Sequence, residues 1–222
     1  MNYSRRRGFF VIIYFHIEAL YRVVVYYKKN KGVIQMKYYK LLYDYEHDND
    51  YVFCNKMDIG NLDRYIESSG CEFTPSKRIT MYLDGEDGSV FTDYLANEYC
   101  WFVISERLKA LIEGLPDYRI QFIPVDLIDS FGNIMTNKYY VCNILDVIDA
   151  IDLENSVYNV FSTMGETVYS FVKYALKAEM TKDKHIFRIK SCTIPIFVSD
   201  YFKQIIENNS MTGFDFLEVK LT

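Results

Sequence analysis

Four acidic residues that lie close together in the chain are the side chains best spaced to do chemistry: Asp146, Asp149, Asp152 and Glu154. The three aspartates are three residues apart, and in a 3₁₀ turn the residues at i and i+3 lie above one another. Such a turn would place three carboxylates along one edge. That edge could bind a divalent cation or a cationic patch on a protein partner. The same residues could instead form a solvated acidic loop in which Asp149 or Asp152 caps a turn.

The rest of the sequence contains no recognisable catalytic motif. Its three histidines, His16, His47 and His185, have neither H-x-x-x-H spacing nor the H-E-x-x-H pattern of zinc proteases. There is no G-x-S-x-G elbow, no Walker A loop and no G-x-G-x-x-G fingerprint. His185 follows a polar turn and is expected to be a surface histidine. We therefore predict no catalytic residue, no bound metal and no cofactor.

The five cysteines are scattered and include no C-x-x-C pair. Such a pattern is typical of neither a disulfide framework nor a zinc site. Cys142 and Cys192 lie in apolar runs, which indicates buried free thiols in a reducing cytoplasm.

The charge is distributed very unevenly along the chain. Residues 1–35 hold seven of the 25 basic and one of the 30 acidic residues, so residues 36–222 hold 18 basic and 29 acidic residues, a net charge of −11. Phosphates would repel a domain with this charge, so we expect no direct binding to nucleic acid.

Residues 1–35 form a basic and apolar extension. Three arginines precede the apolar run 9–15, as in a signal peptide, but the run is short and Glu18 soon follows it. A membrane span of about 20 apolar residues is therefore not available. Met36 opens a natural first strand, and the codons for residues 31–33 could resemble a bacterial ribosome-binding sequence. We expect translation to start at Met36, with residues 1–35 a misplaced start or a disordered extension.

The chain also contains an internal repeat, in which residues 105–127 match residues 199–221 at a constant offset of 94 with seven identities in 23 positions. Each copy has an apolar strand, a serine that can cap a helix, an acid in the first turn and an i, i+3, i+4 apolar stripe, followed by another strand. The sequence therefore predicts two similar strand–helix–strand units, at about 101–127 and 195–221. We interpret the repeat as architectural rather than as a pseudo-symmetric binding surface.

Short strands are predicted on both sides of the acidic segment and around each copy of the repeat, at residues 38–45, 51–54, 77–83, 138–145, 157–161 and 167–174. A short helix is predicted at residues 61–69, ended by Gly70. Together these elements predict an α+β fold with mixed, mostly antiparallel sheets and short helices. No segment has the composition of a linker, so residues 36–222 are expected to be a single domain.

Three stretches have a more specific pattern. Residues 139–156 form an apolar strand followed by an Asp-rich turn and a serine, residues 198–207 form a capped helix, and residues 213–219 form a Gly-x-x-Phe strand. With these stretches, residues 36–222 resemble the family-eleven immunity proteins of bacterial polymorphic toxin systems. The resemblance covers most of this range and is weakest over residues 45–95.

The resemblance implies a cytoplasmic protein without catalytic activity. Such a protein binds a cognate toxin domain and blocks it. The acidic charge favours a basic toxin such as a nuclease, and we expect neutralisation by occlusion of the toxin's active or substrate-binding surface. The candidate toxin-binding residues are Asp146, Asp149, Asp152 and Glu154. One alternative is a small metal-dependent hydrolase that uses Asp146, Asp149 and Asp152. Another is a protein anchored to a membrane through residues 1–35.

Overall fold

A computed structural model describes residues 36–46, 50–83, 88–116, 118–163 and 166–222 of the chain. Lys37–Thr222 form one compact unit. The predictions made for residues 1–35, and those for His16 and His47, lie outside the described residues.

Seven strands form one sheet in which parallel and antiparallel pairs are mixed. From one edge of the sheet to the other they are β2 (Phe53–Cys54), β5 (Tyr94–Asn97), β6 (Val103–Ser105), β8 (Tyr139–Ile144), β7 (Ile120–Ile128), β4 (Ile79–Tyr82) and β3 (Lys56–Asp58).

Six further strands form a second mixed sheet, and two strands form a separate hairpin. The order of the second sheet is β12 (Ala175–Leu176), β15 (Phe214–Leu221), β1 (Tyr38–Tyr43), β14 (Cys192–Ser199), β13 (Ile186–Ile189) and β9 (Val147–Ile148). The hairpin consists of β10 (Val157–Thr163) and β11 (Glu166–Lys173).

The helices of the described residues are few and short: α1 (Glu106–Ile112), α2 (Ala178–Thr181), α3 (Asp200–Asn208) and a 3₁₀ turn at Glu67–Ser69. The described chain consists mostly of β-sheet with a few short helices, which is the α+β fold that the sequence predicts. The predicted helix at residues 61–69 is reduced to the 3₁₀ turn, which ends at Gly70 in the left-handed conformation (φ 73°).

Helices α1 and α3 each connect two strands that lie on either side of a third, antiparallel strand. Tyr139 of β8 pairs with Ser105 of β6 and with Val125 of β7. In the second sheet, Tyr38 of β1 pairs with Ser199 and Val219. That these two units are copies of one internal repeat stays a prediction.

Two clusters of buried side chains form the core. One cluster lies on the seven-stranded sheet and includes Trp101 and Met81. The other combines residues of both sheets with the apolar stripes of α1 and α3, which are Leu108 and Ile112 in α1 and Phe202 and Ile206 in α3. Burial of each such side chain stabilises the fold by roughly 1.5–3 kcal/mol, so this second cluster holds the sheets and helices together.

The serine caps of α1 and α3 offer a test of the local interactions. The Oγ atoms of Ser105 and Ser199 accept hydrogen bonds from the backbone N–H groups of Leu108 and Phe202, each at 3.2 Å. Replacing either serine with alanine is expected to lower the free energy of unfolding by at least about 1 kcal/mol, because a helix N–H loses its acceptor. The Ser105 variant also loses the hydrogen bond to Asp93, and the Ser199 variant loses the contact with His185. Urea denaturation measures this change.

Ser191→Ala is the matched control for the cap variants. The Ser191 hydroxyl is buried and makes no hydrogen bond within the described residues. Its removal is expected to leave stability unchanged or to raise it slightly, because a buried hydroxyl without a hydrogen-bond partner is itself destabilising. Equal losses in all three variants would contradict a specific capping contribution.

Candidate functional site

The acidic segment after β8 is extended rather than coiled into a 3₁₀ turn. Its strand β9 pairs in parallel with β13, and Ile151 forms a bridge with Leu176. An extended chain does not place residues i and i+3 above one another, so the predicted carboxylate edge of Asp146, Asp149 and Asp152 does not form.

Asp146 lies inside the protein, where it forms an ion pair. Its side chain is only 10% exposed, and its Oδ2 accepts a hydrogen bond from Lys184 Nζ at 2.7 Å. The Arg119 guanidinium lies 4.0 Å from the other carboxylate oxygen. The carboxylate therefore holds together two segments of this chain rather than facing a partner.

Asp152 organises the turn that leads into β10. Its Oδ1 accepts hydrogen bonds from the backbone N–H groups of Glu154 and Asn155 at 3.0 and 3.2 Å, and its Oδ2 accepts one from the Asn155 side chain. Hydrogen bonds from the side chains of Thr222 and Asn155 lower the pKa of Asp152. This is the turn-capping arrangement that was one of the alternatives for the acidic segment.

Asp149 and Glu154 are the two acids of the segment that face solvent. Within the described part of the chain neither makes an ion pair. In the same part, no group of three or more histidine, cysteine, aspartate or glutamate side chains could hold a metal ion. Asp149 and Glu154 therefore remain available to a partner, whereas the hydrolase alternative gains no support.

The hairpin β10–β11 concentrates exposed apolar side chains next to this acidic turn. Five of the fourteen exposed large hydrophobic residues of the described chain lie on it: Val157, Val160, Phe161, Val168 and Val172, each 47–63% exposed. The sequence predicts both strands but not their exposure. Their apolar residues occupy both faces, a pattern that is typical of a buried strand.

One face of the hairpin is anchored to the protein body by a row of aromatic rings. Tyr158 packs against Tyr169 and Phe171, with ring centroids 5.4 and 5.6 Å apart. Phe171 stacks on Tyr174, which contacts the buried Phe197 of β14 edge to face. This row fixes the hairpin on the second sheet, because offset and edge-to-face ring contacts stabilise beyond their burial.

A fully buried ion pair lies between the sheets. Arg188 Nη2 donates to Glu67 Oε1 at 2.6 Å, and the two side chains are 1% and 3% exposed. Arg188 Nη1 donates to the backbone carbonyls of Thr193 and Ile194. Burial raises the pKa of Glu67, although Arg188 opposes the shift. The pair is closed to solvent, so its role is structural.

A second buried carboxylate, Asp93, joins α1 to the loop before β15. It accepts hydrogen bonds from Ser105 Oγ at 2.6 Å, from the Arg107 guanidinium and from the Thr212 backbone N–H at 2.9 Å. Gly213 has φ 86°, and a Cβ there would lie 2.6 Å from the Tyr94 carbonyl oxygen. These contacts again support the fold.

Among the described residues, the cysteines and His185 belong to no group of three or more side chains that could hold a metal ion. All five cysteines are free; Cys142 is buried as predicted, whereas Cys192 is half-buried. Burial raises the pKa of the Cys54 thiol to about 12 and that of Cys142 well above its usual range, so neither is a reactive thiolate near neutral pH. His185 is half-buried, with Nδ1 2.9 Å from Ser199 Oγ at the start of α3.

Two comparisons with known proteins complete the description. The profile of the Immunity protein family (Imm11) matches residues 30–221, most of the chain. No curated protein shows significant similarity to the chain. Among the described residues, no helix combines the length and apolar character needed to cross a bilayer.

Proposed function

The chain belongs to the Imm11 immunity protein family, and on this premise we propose that it binds a cognate bacterial toxin domain and occludes its active or substrate-binding surface. The family match over most of the chain is the observation that carries this proposal. An immunity function implies a toxin as the partner. The mode of neutralisation, by binding alone and without catalysis, is the part proposed here.

Electrostatics favours a basic toxin as the partner. Residues 36–222 carry a net charge of −11, and such an excess accelerates encounter with a domain of opposite charge. An acidic surface can also occupy the site of a polyanionic substrate. A nuclease, whose substrate is a polyanion, fits both arguments.

Asp149, Asp152 and Glu154 are the proposed acidic contacts. Asp149 and Glu154 are exposed, and Asp152 fixes the turn that presents Glu154. We do not include Asp146 among these contacts, because its carboxylate is buried and already paired with Lys184. The proposed surface is thus the acidic turn before β10 rather than a row of three aspartates.

Three further expectations belong to the same proposal. The protein acts in the cytoplasm, residues 36–222 suffice for immunity, and the two strand–helix–strand units form the architecture that supports the binding surface. Lys37–Thr222 form one compact unit, which supports testing that part separately.

Co-expression with the toxin domain encoded immediately upstream of the gene is the direct test. We expect the full chain to restore growth and to co-purify with the toxin, because occlusion requires a lasting complex. Residues 36–222 alone are expected to do the same. The toxin expressed alone must kill the cells, and soluble, folded protein must be verified in each case.

The other outcomes of this experiment are distinct. Restored growth without a complex would indicate enzymatic reversal of the damage and contradict occlusion. Adding a chelator would then separate a metal-dependent hydrolase from other enzymes. No restoration of growth, with a lethal toxin and folded protein, would count against toxin neutralisation.

A further inference from the structure

One face of the hairpin β10–β11 carries apolar side chains that are about half exposed, and no other strand of the described chain pairs with the hairpin. Side chains alternate along a strand, so Val157 and Phe161 lie on one face of β10. Phe161 pairs with Val168 of β11, which lies on the same face. The aromatic row of Tyr158, Tyr169 and Phe171 lies on the opposite face, together with the exposed Val160. Phe171 connects this row to the protein body through Tyr174.

The exposed face continues onto the second sheet. Val157 and Val172 line a cavity of about 330 Å³ at the base of the hairpin, together with Leu217 of β15. Leu217 is also exposed, at 53%. Asn155, Lys173, Glu218 and Lys220 contribute polar side chains to this lining. We name the set Val157, Phe161, Val168, Val172 and Leu217 the hairpin face.

The hairpin face has the composition of an interface centre. The described hairpin residues include two charged residues, Glu166 and Lys173. The acidic turn with Asp152 and Glu154 directly precedes β10. Protein interfaces combine an apolar centre, depleted of charge, with a polar rim, and exposed apolar patches of this kind mark interaction sites.

The net charge of the domain favours one kind of partner for the hairpin face. A second copy would bring another chain of net charge −5, with −11 on residues 36–222, against the first, and like charges oppose such an approach. A basic partner is attracted by this net charge and by Glu154, and it must avoid Lys173 and Lys220, which also border the face. The charge therefore favours a basic protein over a second copy.

We propose that the hairpin face is the surface on which the toxin docks, and that the toxin presents an apolar patch bordered by lysine or arginine residues. This inference rests on the proposed function. The apolar centre supplies affinity through desolvation, and the acidic turn orients the basic border.

The test compares two double variants of the full chain. Phe161→Lys/Val168→Lys places two positive charges in the hairpin face. Phe131→Lys/Ile134→Lys makes the same charge change at apolar side chains that are 89% and 68% exposed in the turn after β7. Calorimetric titration with the purified toxin domain encoded beside the gene gives the dissociation constants.

We expect the hairpin variant to bind at least about 100-fold more weakly than the wild type, since two central residues are lost. The control variant is expected to stay within about threefold of the wild type, because isolated exposed residues outside an interface contribute little. Circular dichroism melting must show that both variants fold. Val172→Lys, with its single charge, replaces the double variant if that variant does not fold.

Each contrary outcome has its own meaning. A wild type that binds and protects, with a hairpin variant that binds as tightly as the control, would overturn the docking surface and leave the proposed function intact. A wild type that does not bind the toxin would contradict the proposed function itself. A wild-type dimer that the hairpin variant dissociates, with toxin binding unchanged, would assign the face to a second copy and overturn this proposal.

Discussion

Replacing Arg188 with methionine is expected to lower the free energy of unfolding by about 3–5 kcal/mol, because it leaves the Glu67 carboxylate buried without a cation. The Arg188 and Glu67 side chains are 1% and 3% exposed, so water cannot replace the lost hydrogen bond. The carbonyls of Thr193 and Ile194 lose their donor as well. Since whole domains are stable by only about 5–15 kcal/mol, the loss should be plain in urea denaturation.

A double variant separates the buried charge from the lost packing. Glu67→Leu together with Arg188→Met removes both charges, and we expect it to regain most of the lost stability, since apolar residues can replace a buried ion pair. Lys37→Met is the control: it breaks the Lys37–Glu218 pair, whose side chains are both more than half exposed, and should have little effect. A double variant as unstable as Arg188→Met would contradict this explanation.

The stability of the single variant Arg188→Met should depend on pH in a defined direction. Burial raises the pKa of Glu67 above its unfolded value, so the folded state binds an extra proton and stability falls as the pH rises through that pKa. Removing Arg188 also removes the attraction that opposes the shift. We therefore expect Arg188→Met to gain stability relative to the wild type as the pH is lowered from neutral towards the unfolded pKa of glutamate, which urea denaturation across this range measures.

Replacing Asp93 with alanine is expected to lower the free energy of unfolding by about 2–4 kcal/mol. The carboxylate is buried and accepts hydrogen bonds from Ser105, Arg107 and the Thr212 backbone N–H. The Arg107 side chain is 55% exposed, so its ion pair contributes little. Most of the loss in stability arises because the Ser105 hydroxyl and the Thr212 N–H no longer have a carboxylate as their hydrogen-bond acceptor.

The pH dependence of this effect has the opposite sign to that of Glu67. Burial acts to raise the pKa of Asp93, but hydrogen bonds from Arg107, Ser105 and Thr212 outweigh it and lower the pKa. The folded state therefore binds fewer protons than the unfolded state. The contribution of the ionised Asp93 to the free energy of unfolding is present above the unfolded pKa of about 4 and is lost as the pH falls through the folded pKa.

Urea denaturation at pH 7 and at pH 3 measures this difference between the wild type and Asp93→Ala. We expect the gap in stability to narrow at the lower pH. Asp215→Ala, which removes an exposed carboxylate of the same charge, is the control and should change stability little at either pH. A gap that stays constant would contradict a role for the ionised carboxylate.

Local interactions explain what the sequence predicted well. Ser105 and Ser199 each precede an acid and an apolar stripe, and both cap a helix as expected. The α+β class follows in the same way, since the period of the apolar residues and the capping residues act within a few positions. Family membership could also be predicted, because the three stretches that carry it are continuous in the chain.

Burial of charge could not be predicted, because it depends on residues far apart in the sequence. Asp146 belongs to an acidic segment by pattern, yet Lys184, 38 positions away, binds it inside the protein. Glu67 lies in a segment predicted as a simple helix, and Arg188, 121 positions away, pairs with it between the sheets. No local pattern distinguishes such a carboxylate from a solvated one.

The sequence alone determined the capped helices, the positions of the longer strands, the acidic excess and the family of this protein, since each depends on composition or on neighbouring residues. The tertiary structure alone decided which acids face a partner and which face of the hairpin stays exposed. Apolar residues on both faces of β10 and β11 are typical of a buried hairpin. In the structure, Tyr174 packs on Phe197 and anchors one face. The opposite face, where Phe161 pairs with Val168, is left to solvent. The physical reason is that exposure is a property of packing between distant segments, not of the segment itself.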